Sequence, residues 1–201
     1  MVIAVRHPAP GTPRYTGLRM SADDYLALPD DGFRYELIDG VVVMTPSPDF
    51  DHQDVRGEIE YQLRAYVRKS RCGWVGSEVD VRMSAKVVYR PDLLFIGRKD
   101  HPRRPKRIDF APELVVEVLS PSTTAFDLET KRNDYEKKGV LEYWIVDPQD
   151  GSVRFLRLER GRYVEVKAVR GRFASKAVPG FKLDLKAVRG ASEDEQGDGE
   201  E

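Results

Sequence analysis

The chain has 201 residues, 40% of them apolar and 33% charged, and its 33 Lys and Arg stand against 34 Asp and Glu for a formal net charge of −1. That balance excludes a disordered chain, and no apolar run approaches the ~18 residues that a membrane helix needs. A near-zero charge also argues against a generally basic nucleic-acid binder, but Ala191–Glu201 holds six acids and no Lys or Arg, which leaves residues 1–190 with 33 basic and 28 acidic side chains, a net of +5.

The length suits one domain with a sizeable core. Residues 1–17, with Pro8, Pro10, Pro13, Gly11 and Gly17, read as a flexible segment, residues 18–187 as the domain, and residues 188–201 as a disordered acidic tail. The apolar run Val2–Val5 is too short for a secretory core. A single cysteine, Cys72, excludes an internal disulfide framework and a multi-cysteine zinc site. A reducing cytoplasm is the expected compartment.

In chain order, Leu18–Asp30 is predicted helical, with Ser21 as N-cap. Phe33–Ile38 alternates, and Asp39-Gly40 turns it into a second strand, Val41–Met44. Val55, Ile59, Leu63 and Tyr66 mark a helix from about Phe50 to Lys69, and His52 lies on the same inward stripe. Strands are expected at Val75–Met83 and at Lys86–Ile96, the second interrupted by Pro91-Asp92. A polar loop, 97–109, follows. Glu113–Leu119 reads as a strand buried on both faces. A helix, Thr124–Lys138, stopped by Gly139, then leads to a second buried strand, Glu142–Asp147, so the two strands form a parallel pair. Val153–Glu159 and Tyr163–Val169 form a hairpin around Arg160-Gly161, and Phe181–Leu185 is a last short strand. Trp74 and Trp144 are read as core residues, and Ser120–Thr124 as a helix cap. The fold class is α/β, a single domain with a mixed sheet.

Some residues contradict their surroundings. Glu117 sits in a run of Leu and Val, where an unpaired carboxylate is costly, so it must be protonated, ion-paired or bound to a metal. Lys131 shares a helix face with Leu128 and Tyr135 and should point toward the sheet that carries Glu117. Asp92 follows Pro91 at a strand entry, Glu36 lies within Tyr-Glu-Leu-Ile, and His52 faces inward. Three acids and a lysine on neighbouring elements, without a cysteine cluster, suggest a hard cation held by oxygen, Mg²⁺ or Mn²⁺. Such a site suits phosphodiester hydrolysis. Paired carboxylates could instead indicate glycoside hydrolysis, but that reading explains neither the lysine nor the basic loop.

Tyr35-Glu-Leu-Ile-Asp-Gly40, His52, Pro91-Asp-Leu-Leu-Phe95, Glu113-Leu-Val-Val-Glu-Val-Leu-Ser-Pro-Ser-Thr123, Lys131, Tyr135 and Gly139-Val-Leu-Glu-Tyr-Trp-Ile-Val-Asp-Pro148 occur in that order. Over roughly residues 18 to 186 the chain resembles the Uma-type family of restriction-endonuclease-like proteins, in the PD-(D/E)XK nuclease superfamily. The resemblance implies a restriction-endonuclease-like mixed central sheet flanked by helices, with a divalent-metal site at splayed strand ends. On it Asp92 and Glu117 match the two motif acids, the Val118 carbonyl joins them on the metal, and Glu36 resembles the additional N-terminal acid. The usual lysine position holds Leu119, and Lys131 stands as a migrated lysine that activates water, with His52 assisting. The implied activity is Mg²⁺-dependent (or Mn²⁺-dependent) cleavage of DNA by a homodimer, with RNA left open as a substrate. The competing reading is a catalytically silent nucleic-acid-binding or protein-interaction module that keeps the fold.

Arg98, Lys99, Arg103, Arg104, Lys106 and Arg107 lie between the strands of Asp92 and Glu117. They are expected to emerge near the site and to contact phosphates. The acidic tail is expected to compete with DNA for this loop.

Overall fold

The computed structural model describes residues 12–45, 47–120 and 126–193, and the chain folds as two compact units. Among the described residues the expected mixed sheet flanked by helices is present. The first unit takes the chain up to Ser47 together with Arg82–Tyr89. Its helix α1 (Ala22–Leu26) is capped as expected, Ser21 Oγ accepting from the Asp24 N–H, but it is one short stretch, ending well before Pro29. Strands β1 (Tyr35–Ile38) and β2 (Val41–Met44) pair antiparallel, Tyr35 opposite Met44. Asp39 and Gly40 between them both have positive φ, 50° and 76°, as a tight two-residue hairpin turn requires.

Residues 14–17 are not the loose segment the prolines suggested. Tyr15 packs edge-on against Tyr35, 5.6 Å between ring centroids, and the Gly17 N–H donates to the Val42 carbonyl. One aromatic contact offsets what composition implied.

The second unit, Pro48–Val81 with the chain from Arg90, is built on a six-stranded sheet. Helix α2 (Phe50–Ser70) starts at Asp49, whose side chain accepts from the His52 N–H at 2.9 Å. The expected strand Val75–Met83 is two pieces, β3 (Gly73–Ser77) and β4 (Val81–Arg82), because Glu78 turns the chain at φ 55°. At β4 the chain passes into the first unit, where β5 (Val88–Tyr89) pairs with β1. Strands β6 (Leu93–Gly97), β7 (Leu114–Val118), β8 (Glu142–Val146), β9 (Val153–Glu159) and β10 (Arg162–Val166) complete the second unit's sheet in the order β10-β9-β8-β7-β6-β3. The β7/β8 pair is parallel, as the strand–helix–strand spacing predicts, and the other pairings are antiparallel.

One sheet face carries Leu93, Phe95, Leu114, Val116, Trp144 and Val146, buried under Val55, Ile59, Leu63 and Val67 of α2. Trp144 is core, edge-on to Phe155 at 5.3 Å, whereas Trp74 on the edge strand β3 is half-buried. The other face meets a π-helical segment (Phe126–Lys131) continuing into α3 (Arg132–Lys138), which Gly139 ends at φ 94°. The Ser120–Thr124 cap falls mostly outside the described residues.

Beyond the hairpin, β11 (Arg172–Ala174) pairs with β12 (Lys182–Asp184), and α4 (Leu185–Glu193) follows. Both β11 and α4 escape the sequence reading. The domain therefore does not stop at 187: Leu185 and Val188 are buried in the same core as α2, and the helix runs on to Glu193.

Candidate active site

Strand register builds the centre of the site. Leu93 pairs with Val116 across β6 and β7, so Asp92, just before β6, lies by the end of β7 that carries Glu117 and Val118. Pro91 ends the regular ladder there, having no N–H to donate. The Asp92 carboxylate takes over: Oδ2 accepts from the Val118 N–H at 2.8 Å. His52 Nε2 lies 3.4 Å from the same oxygen. Its imidazole is buried, and Nδ1 has no hydrogen-bond partner among the described residues.

Glu117, 4% exposed, is buried as the sequence demands and does not stand alone. Its Oε1 accepts from the Tyr135 hydroxyl at 2.9 Å and from Lys131 Nζ at 3.1 Å. Lys131 also lies 3.3 Å from Asp127 Oδ1. Sequence reading did not single out Asp127, because a 3.6-residue period puts Leu128 on the inward stripe. In the structure Leu128 is half-buried and Asp127, Lys131 and Tyr135 face inward, four residues apart. The wider π-helical turn accounts for the shift. The available signal was the acid four residues before the lysine, a spacing that pairs opposite charges on one helix face.

Among the described contacts, two carboxylates share the Lys131 ammonium. Burial, then the charges of Glu117 and Asp127, hold the Tyr143 phenol well above the ordinary tyrosine range. The hydroxyl stays a neutral donor and bonds the Asp127 carbonyl at 3.1 Å.

Among the described residues no group of three or more His, Cys, Asp or Glu stands ready to cage a metal. What is present, Glu117 with Asp92 held on the next residue's N–H, matches the one or two carboxylates that Mg²⁺ takes when waters and a substrate phosphate complete its shell. The residues thus fit an open hard-cation site rather than a closed one.

Glu36 is buried in β1 of the first unit, paired in register with Val43. The Val118 N–H holds Asp92, beside the carbonyl that was expected to face a metal. The basic loop does not emerge beside the carboxylates. It leaves β6 after Gly97, whereas Asp92 precedes Leu93 at the other end of that strand. A connection between antiparallel strands departs from one end only, and here it is the far one.

The sequence matches the Uma2 family, described as "Putative restriction endonuclease", over residues 22–186. Among solved structures, the crystal structure of a "putative nuclease" from Anabaena variabilis superposes with a TM-score of 0.73 at 18% identity, covering 86% of this chain and 99% of that one. At that identity the likeness shows the fold. No curated protein matches. A match over most of its length shows that the chain belongs to the Uma2 family.

Proposed function

We propose that this protein is a Mg²⁺- or Mn²⁺-dependent endonuclease hydrolysing DNA phosphodiester bonds, acting as a homodimer in the cytoplasm. One observation carries the reading: a buried lysine touches a buried carboxylate, 3.1 Å apart, and the next residue's N–H holds a second acid, Asp92. Asp92 and Glu117, with the Val118 carbonyl, would hold the ion. When bound, it polarises a phosphoryl oxygen and lowers the pKa of a coordinated water.

The chain's own residues supply the rest. Lys131, held between Glu117 and Asp127, is positioned to orient the attacking water and to stabilise the charge that develops on the phosphate. Tyr135 fixes Glu117 through its hydroxyl. His52 and the Val118 N–H together fix the Asp92 carboxylate, and the unpartnered Nδ1 is left to bind a water. Two copies of the chain would bring one such site to each strand of a duplex.

A second reading has its own support. Glu117 Oε1 already accepts two protein donors, so the network closes without a metal, as in a silent module that keeps the fold. Supercoiled plasmid incubated with Mg²⁺ or Mn²⁺ separates the two. The wild type is expected to nick and linearise it, while Glu117→Ala and Lys131→Ala lose at least about a hundredfold, the usual scale for a general acid–base or electrostatic group. If the wild type cuts neither DNA nor RNA in either metal, or the variants cut equally well, the silent module is the correct reading.

A further inference from the structure

The end of β6 that the basic loop occupies holds a feature of its own. A concavity of about 500 Å³ opens there, lined by Arg64, Arg68 and Arg71 of the α2 terminus, by Trp74 of β3, and by Arg98 and Arg104 of the loop. Among the described residues no Asp or Glu lines it. The five residues of β6 lie between Asp92 and Arg98, six steps or roughly 20 Å at about 3.3 Å per residue, so this is not the carboxylate site.

Several of these guanidinium groups are set in place. Arg98 lies 5.0 Å over the Trp74 ring, and its N–H donates to the Cys72 carbonyl. Arg64 is tied to Glu60 at 2.6 Å. Arg71 sits in a left-handed turn, φ 54°, with its N–H on the Val67 carbonyl. Arg68, Arg71 and Arg104 have no carboxylate partner among the described residues, as the ion pairs and hydrogen bonds show. Basic residues at a helix C-terminus complement its dipole, which accounts for Arg68 alone. It does not account for Arg98 and Arg104, which a different segment brings to the same concavity. Like charges sharing a hollow repel one another, and the repulsion persists until an anion enters. Arginine forks match phosphate oxygens in pairs.

We propose that this arginine pocket is a second nucleic-acid contact that takes backbone phosphates of DNA roughly 20 Å from the carboxylates. The proposal rests on the nucleic-acid part of the function argued above and deepens it. The two loop arginines keep their expected role, at a different place, and three arginines of α2 join them.

Binding of a labelled duplex without metal, followed by fluorescence anisotropy over a salt series, tests it apart from cleavage. Each phosphate contact adds about 0.9 to the slope of log affinity against log salt. The R68A/R71A/R104A variant is therefore expected to bind more weakly, by on the order of tenfold or more, with a slope shallower by about two to three. Replacing the same residues with lysine should restore most of the slope. Unchanged affinity and slope in the triple variant overturn the proposal. So does a pocket that inorganic phosphate stabilises against melting while the duplex fails to bind, which would mark a small-anion site. If the triple variant does not fold, R104A alone carries the test with a slope change of about one. Loss of arginine-dependent binding with plasmid cutting intact defeats the pocket only. Arginine-dependent binding by a wild type that never cuts defeats the nuclease reading only.

Discussion

Lys131 is where stability and chemistry meet. Its ammonium sits between Glu117 and Asp127, all three side chains nearly excluded from water. Removing one member of a buried charged group costs about 3–5 kcal/mol, because the remaining charges lose their partner inside the protein. Lys131→Met preserves much of the volume and should lower the melting temperature accordingly. Mg²⁺ should then raise the melting temperature of this variant by more than it raises that of the wild type, since a cation at Glu117 replaces the lost one. An equal rise in both would show that these carboxylates do not hold metal. At this scale the sequence was legible wherever charge violated a pattern. Glu117 and Lys131 each stood out against an apolar strand or stripe. Asp127 did not, because its burial depends on a π-helical turn that a 3.6-residue period cannot reveal.

The element that carries Lys131 and Tyr135 is itself held to the sheet edge. Glu136 of α3 accepts from the Tyr163 N–H of β10 and from the Arg162 guanidinium, with Arg132 at 4.0 Å. The Tyr163 N–H, then the Arg162 and Arg132 charges, hold its carboxyl below the usual carboxylate range against the opposing pull of burial. A carboxyl whose pKa is depressed by folding stabilises the native state at pH values above its unfolded pKa, near 4.3. That contribution disappears as pH falls through the folded value. Glu136→Gln should therefore flatten the acid limb of a melting-temperature profile measured from neutral pH downward; parallel profiles for wild type and variant would refute this. Elements with their own periodicity, such as α2, β7 and β8, were readable in advance. The break at Glu78 was not, since a left-handed φ at a glutamate has no sequence signal. Helix α4 was hidden by its acidic end, although Leu185 and Val188 are its buried anchors. The place of the basic loop could have been reasoned from strand direction, because β6 runs from Asp92 toward Arg98.

For the whole molecule the net charge of −1 describes neither part of it. Basic groups concentrate in the pocket at one end of the second unit's sheet, and acids in the last residues of the chain. The fold bears on where that acidic segment can be cut. A truncation at 191 would shorten α4, which runs to Glu193. Removing residues 194–201 instead leaves α4 whole and takes away five acids and no base, so the formal charge changes from −1 to +4. Stability should be unaffected, because Val188, the helix's fully buried contact, is retained. Affinity for duplex DNA should rise at low salt, as less like charge opposes the backbone. The gain should fade once the screening length falls to about 8–10 Å near physiological ionic strength. The sign of the effect separates two roles for the segment. If it only keeps the chain soluble, affinity stays the same at every salt concentration and the truncated protein aggregates sooner. If it competes with DNA for the arginine pocket, the gain at low salt disappears when truncation is combined with R68A/R71A/R104A. Anisotropy titrations of the four combinations read out that coupling directly.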